Sequence, residues 1–264
     1  MLELKDLRKT FYPGTVNSKT ALNGVNLTLQ DGDFVTVIGG NGAGKSTMLN
    51  AVAGTLDVDS GSILLDGVDM THMPEHKRAT YLGRVFQDPM MGTAGDMWIE
   101  ENLALAARRG QRRTLKWGIS REEREAFREL LKQLDLGLED RMTTKVRLLS
   151  GGQRQALTLL MAAMKRPKLL LLDEHTAALD PKTAAKVLEL SDKIVAENHL
   201  TTMMVTHNMK DAIAHGNRLI MMDAGRIVLD ISGEEKKNLT VSQLLELFGN
   251  ASGNDEADDK MLLS

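Results

Sequence analysis

In the first third of the chain, apolar residues come in short runs of strand period. Residues 25–29 alternate apolar with polar side chains, and Asp31-Gly32-Asp33 closes them as a turn. Residues 34–38 form a β-branched run of the kind that fills a buried strand, and residues 48–53 take up helical spacing. Residues 60–67 read as a hairpin strand between glycine turns. From about residue 88 helical spacing dominates, in residues 99–109 and 120–134. Ser120 followed three positions on by Glu123 has the form of a capping box. After Gly151 helix and strand alternate again: a strand over 169–172, a helix over 181–197 with Pro181 near its first turn, and a strand over 201–206. Residues 219–222 and 226–229 flank Asp223-Ala224-Gly225, a hairpin signal. The pattern predicts an α/β chain carrying an inserted helical segment, without internal repeats.

Composition narrows the picture. The chain has 264 residues, 42% apolar and 26% charged, an ordinary globular balance. Cysteine is absent, which excludes a disulfide scaffold, a thiolate metal site and a cysteine nucleophile. A net charge of −3 argues against a nucleic-acid partner. No apolar run approaches the ~20 residues that span a bilayer, and the start shows no secretory signal, so a membrane role is expected to run through a partner. Sixteen methionines against 3% aromatics imply that Met fills core gaps. The acidic residues Asp255, Glu256, Asp258 and Asp259 predict a disordered tail over 250–264.

The chemistry concentrates in ordered motifs. Between the strand at 34–38 and the following helix lie Gly39, Gly40, Asn41, Gly42, Ala43, Gly44, Lys45, Ser46 and Thr47, a phosphate-binding loop. Glycines let backbone N–H groups turn inward around phosphate oxygens, and the helix adds its positive end. Lys45 reaches the β- and γ-phosphates, and the Ser46 hydroxyl suits Mg²⁺. The strand at 169–172 ends in Asp173 and Glu174, where an acid faces the ligand crevice of an α/β sheet. Asp173 suits Mg²⁺ and Glu174 an attacking water, although apolar strands often end in acids for no catalytic reason. Leu149-Ser150-Gly151-Gly152-Gln153 is a second candidate helix N-terminus for phosphate, and taken bare it is equally a capped turn.

These motifs, in this order, resemble those of the ATP-binding cassette (ABC) ATPases, over roughly residues 1–235. The resemblance implies a P-loop NTPase fold, with a RecA-like core over 1–87 and 155–235, an N-terminal antiparallel β subdomain and a helical subdomain over about 88–154. A C-terminal helix over 236–249 would follow. It implies ATP and Mg²⁺ as cofactors, with Gln87 contacting the metal and water, His207 the γ-phosphate, and Phe11 (or Tyr12) the adenine ring. Ser150, Gly151, Gly152 and Gln153 would bind ATP in trans across a head-to-tail dimer of two copies, and Asp180 would lie at that interface. A membrane permease and, indirectly, an extracytoplasmic substrate-binding protein would be the partners of an ATPase peripheral to the cytoplasmic face of the membrane. Glu174 is commonly followed in the family by Pro-Thr-Ser-Ala-Leu-Asp; here His175-Thr-Ala-Ala-Leu-Asp stands instead, with His175 read as a tolerated turn residue or a pH-sensitive one. The phrases at 83–94, 99–106 and 173–183 look like a bacterial importer subgroup associated with tryptophan/tyrosine-type binding proteins. Export, lipoprotein release and a soluble role on DNA or the ribosome are the alternatives.

Two surface features stand outside these motifs. Arg108, Arg109, Arg112, Arg113 and Lys116, followed by Trp117, form a cationic run suited to anionic headgroups or to plain solvation. Met90, Met91, Met97 and Trp98 are apolar for a loop, and suit either a groove for a permease helix or packing within the helical segment.

Overall fold

The structure, a computed structural model, describes residues 1–111 and 118–252. Arg112, Arg113, Lys116 and Trp117 of the cationic run, and the acidic residues of the tail, lie outside the described residues. The chain divides into two compact units, Met1–Arg78 with the chain from Leu200 onward, and Ala79–His199.

The first unit opens with β1 (Leu2–Phe11), β2 (Lys19–Leu29), β3 (Phe34–Ile38), α1 (Lys45–Ala53), β4 (Ser60–Leu65), β5 (Val68–Asp69) and α2 (Glu75–Arg78). Strands β2-β1-β4-β5 form an antiparallel sheet in that order, with Leu4 opposite Leu27 and Leu2 opposite Leu65. Leu2, Leu4 and Leu7 bury their side chains on β1, as do Leu27 and Leu29 on β2. Arg78 is 1% exposed and donates to the carbonyls of Ala51, Val52, Thr71 and Met73. Two of these lie in the last turn of α1, where a cation is favoured by the helix dipole.

The second unit contains β6 (Leu82–Val85), α3 (Ile99–Ala107), α4 (Arg121–Lys132), α5 (Gly151–Ala163), β7 (Leu169–Asp173) and α6 (Pro181–Asn198). Strands β6 and β7 are parallel, Leu82 opposite Leu169 and Val85 opposite Leu172. Ile99, Leu103, Phe127, Leu131, Leu138 and Leu157 build one core from α3, α4, α5 and the loops between them. The capping box expected at α4 is present: Ser120 N–H donates to Glu123 Oε2 (2.9 Å) and Glu123 N–H to Ser120 Oγ (3.2 Å).

The chain then returns to the first unit with β8 (Thr202–Val205), α7 (Met209–Ala214), β9 (Arg218–Asp223), β10 (Arg226–Ser232), α8 (Gly233–Lys237) and α9 (Val241–Ser252). Strand β3 lies between β8 and β9, parallel to both, and β10 is antiparallel to β9. All five residues of β3 are buried, as a strand covered on both faces requires. Met203, Met204, Met221 and Met222 are buried on β8 and β9, so methionine is a core residue here. The helix expected over 236–249 is two helices, α8 and α9, and α9 continues past 249 to Ser252. Its Leu244 and Phe248 pack against Ile38, Leu219 and Met221.

Candidate active site

The phosphate loop leaves the buried end of β3 and enters α1 at Lys45. Gly44, at φ 106°, occupies the left-handed region, and a Cβ there would stand 2.4 Å from the Ala21 carbonyl oxygen, so this corner needs glycine. Glycine also leaves α1 without a side-chain cap, and its first N–H groups form a cradle for an anion. The loop is anchored by Ala43 N–H to Gly40 O (3.1 Å) and by Gly225 N–H to Ala43 O (3.0 Å). Lys45 is 7% exposed, and its Nζ donates to the carbonyls of Gly39 (2.6 Å) and Gly40 (3.2 Å), so the ammonium sits within the loop it serves. Asn41, Gly42 and Ser46 are exposed, and Thr47 is half-buried. Phe11 ends β1 half-buried, while Tyr12 beyond it is exposed. Lys19, opposite Phe11 on β2, brings its ammonium over the loop, 2.8 Å from where a Cβ of Gly42 would stand. Nothing in local spacing marks Lys19; strand pairing puts it there.

The carboxylates lie in the second unit. Asp173 ends β7, and its Oδ2 accepts from Nη2 of Arg84 on β6 at 2.9 Å, with both side chains mostly buried. The Arg84 guanidinium lies 4.6 Å from the centroid of the Phe86 ring. The Phe86 carbonyl accepts from Nε2 of the buried Gln155 of α5 (3.1 Å), and exposed Gln87 follows directly. Glu174 adopts φ 42°, an uncommon backbone conformation for a residue with a side chain.

His175 lies in a turn, as expected, but its side chain is buried. It is 2% exposed, with Nε2 3.0 Å from Ser191 Oγ on α6. Ser191 spends its own hydrogen on the Val187 carbonyl (2.8 Å), which assigns the shared proton to His175 Nε2. The residue after Glu174 thus helps to pin α6 from inside.

Ser150 caps α5 in a reciprocal box with Gln153: Gln153 N–H donates to Ser150 Oγ (3.3 Å) and Ser150 N–H to Gln153 Oε1 (3.1 Å). Gly151 is exposed; Gly152 is buried, and a Cβ on it would stand 2.1 Å from Thr183 Cγ2 of α6. Asp180 caps α6, accepting from Thr183 N–H (3.1 Å), with Pro181 in the first helical turn. The hydroxyl and backbone N–H of Thr183 hold the Asp180 carboxyl below the usual carboxylate range. His207, in the first unit, is exposed just after β8. Arg108 donates to Gly118 O and pairs with Glu123, and Arg109 donates to Ala162 O, so these two cations of the basic run are engaged within the unit.

Among the described residues, no cluster of three or more His, Cys, Asp or Glu side chains is arranged to hold a metal. Oxygen donors such as the carboxylate that ends β7 suit a hard cation carried by substrate phosphates, as Mg²⁺ is, rather than one held by the protein alone.

The family model described as ABC transporter matches residues 22–177. The tyrosine transport ATP-binding protein of Clostridioides difficile (strain R20291) is 47% identical over 94% of this chain and 98% of its own length. The chain belongs to the ABC transporter ATP-binding proteins. The spermidine/putrescine import ATP-binding protein of Haemophilus influenzae is 33% identical over 93% of this cassette, which spans 62% of that protein's length. Among solved structures, the dimeric post-hydrolysis state of the ATP-binding cassette MJ0796 bound to ADP and Pi superposes with a TM-score of 0.73. It is 30% identical, over 88% of this cassette and 98% of its own chain. This cassette has the P-loop NTPase fold of those structures and is an ABC-type ATPase, the ATP-binding subunit of an ABC transporter. No helix among its described residues is long and apolar enough to cross a membrane.

Proposed function

We propose that this ATPase powers import of an aromatic amino acid, of the tyrosine or tryptophan type, through a membrane permease. The observation that carries the substrate is the 47% identity, spanning nearly both chains, with a tyrosine transport ATP-binding protein. The cassette works from the cytoplasmic face as a head-to-tail dimer, and an extracytoplasmic binding protein delivers the solute to the permease.

Each residue has a role its position supports. Phe11 stacks on adenine. Backbone N–H groups from Gly39 to Thr47 hold the phosphates, and Lys45 turns from the Gly39 and Gly40 carbonyls to the β- and γ-oxygens. Ser46, Asp173 and Gln87 would be the residues that hold Mg²⁺, which would supply charge neutralisation at the phosphates. Glu174 takes the proton of the attacking water, and His207 donates to the γ-phosphate. Ser150, Gly151, Gly152 and Gln153 serve the nucleotide of the second copy, where the N-terminus of α5 meets its γ-phosphate. Asp180 lies at the interface between copies. Closure is driven by contacts that ATP makes only in the closed dimer, and hydrolysis removes them. The catalytic core comprises residues 1–87 and 155–235, and the helical subdomain over about 88–154 carries the permease contact.

That contact is apolar. Met90, Met91, Trp98, Leu105 and Leu148 are exposed, while Met97 is half-buried. Val146 N–H donates to Met97 O and Arg147 N–H to Gly95 O, so the segment carrying Trp98 runs beside the one carrying Leu148. Exposed apolar side chains gathered this way mark a surface for a partner helix.

The test is a tagged pull-down from detergent-solubilised membranes, with co-purifying proteins identified by mass spectrometry. A polytopic permease with a binding protein that takes up tyrosine or tryptophan is expected. A permease without such a protein, or soluble partners alone, overturns import.

A further inference from the structure

We propose that Arg84 is a positioning residue that holds Asp173 as an ion pair, which the divalent cation of the substrate nucleotide must open in order to bind. This rests on the reading of Asp173 as a metal-holding carboxylate.

Arg84 is placed for this by more than one element. It stands on β6, paired in parallel with β7, whose last residue is Asp173. Its guanidinium reaches Asp173 Oδ2 at 2.9 Å and is supported from below by the Phe86 ring. Phe86 is itself fixed through its carbonyl by Gln155, a fully buried residue of α5. Arg84 and Asp173 retain only 14% and 16% of their side-chain exposure, so the attraction is weakly screened.

Opposed consequences follow from that charge balance. While paired, Asp173 presents a neutralised carboxylate, and an arriving cation meets the guanidinium's positive charge beside it. Without Arg84, a mostly buried carboxylate is left uncompensated, which destabilises the metal-free protein and strengthens the pull on a cation. A merely structural arginine would cost stability on removal without tightening the metal. Phe86 also precedes Gln87 and bonds α5, so the pair is mechanically tied to the loop and the helix that flank the proposed nucleotide contacts.

The test uses the full chain with ADP and Mn²⁺ as probe, the free metal being read by electron paramagnetic resonance. Arg84→Gln is expected to bind Mn²⁺ roughly three- to tenfold more tightly in the ADP complex, and to melt at a lower temperature without nucleotide. Arg84→Lys, which restores the charge, should return Mn²⁺ affinity towards wild type. Unchanged or weaker Mn²⁺ binding by Arg84→Gln overturns the proposal. If that variant fails to fold, Phe86→Leu removes the ring beneath the guanidinium without altering charge; tightening in the same direction supports the pair, and none overturns it. Asp173→Asn separates the two readings. Weakened Mn²⁺ binding in Asp173→Asn with no change in Arg84→Gln sinks the competition alone; unchanged binding in Asp173→Asn removes Asp173 from the metal, and the inference with it.

Discussion

Glu174 holds φ 42°, a conformation that costs of order 1 kcal/mol or more for a residue with a side chain and is maintained only by its surroundings. It lies between Asp173, clamped to Arg84, and His175, buried against Ser191. Both neighbours are tethered, so the backbone at Glu174 is determined from either side. Glu174→Gln keeps the shape and removes the base. We expect it to bind ATP and accumulate as a dimer on size exclusion, while single-turnover hydrolysis falls by roughly 10²–10⁴-fold. Near-normal turnover would remove Glu174 from the chemistry.

At the scale of elements, α5 and α6 meet where neither has room for another atom. A Cβ on Gly152 would approach Thr183 Cγ2 to 2.1 Å. Gly152→Ala should therefore lower stability in chemical denaturation by about 1–3 kcal/mol through overpacking. Thr183→Ser, which deletes that methyl, should restore most of the loss in the double variant; a strictly additive pair would rule out the contact as the cause. Asp180 caps the same α6, and Thr183 depresses its carboxyl below the ordinary range. For a depressed carboxylate, the stabilisation is complete above the unfolded value and disappears as pH falls through it to the folded one. The stability gap between wild type and Asp180→Ala should thus be widest near neutrality and shrink as pH falls to about 3, where carboxylates protonate. Asp180→Asn, which caps without a charge, should flatten that dependence. A gap that persists in acid would exclude the charged cap.

For the molecule as a whole, exposed apolar side chains carry the prediction. Trp98 is 42% exposed although it starts a helix whose next residue, Ile99, is fully buried. A helix entrance that holds its aromatic outward while burying its neighbour has a surface to offer a partner. Trp98→Ala should keep the ATPase rate of the isolated cassette and lose stimulation by solute when reconstituted with the permease. Full stimulation in that variant would place the permease contact elsewhere.

What was legible in the sequence is what short-range rules govern. The phosphate loop, the cap of α4 by Ser120 and Glu123, the hairpin at Ala224 and Gly225, and the order of the motifs all depend on residues a few positions apart. Backbone conformation and first-turn hydrogen bonds are decided there, so spacing suffices. Only the tertiary structure decided which side chains arrive from elsewhere. Arg84 reaches Asp173 across 89 positions because β6 lies beside β7, and Arg78 reaches Ala51 across 27 to satisfy the end of α1. Lys19 comes over the loop because β2 pairs with β1. His175 sits in the turn its neighbours suggested, but it is a buried donor because α6 folds back over it. Charge pairing and burial depend on distance in space. A single chain encodes that distance only through the complete fold, so these residues stayed silent until the strands were in register.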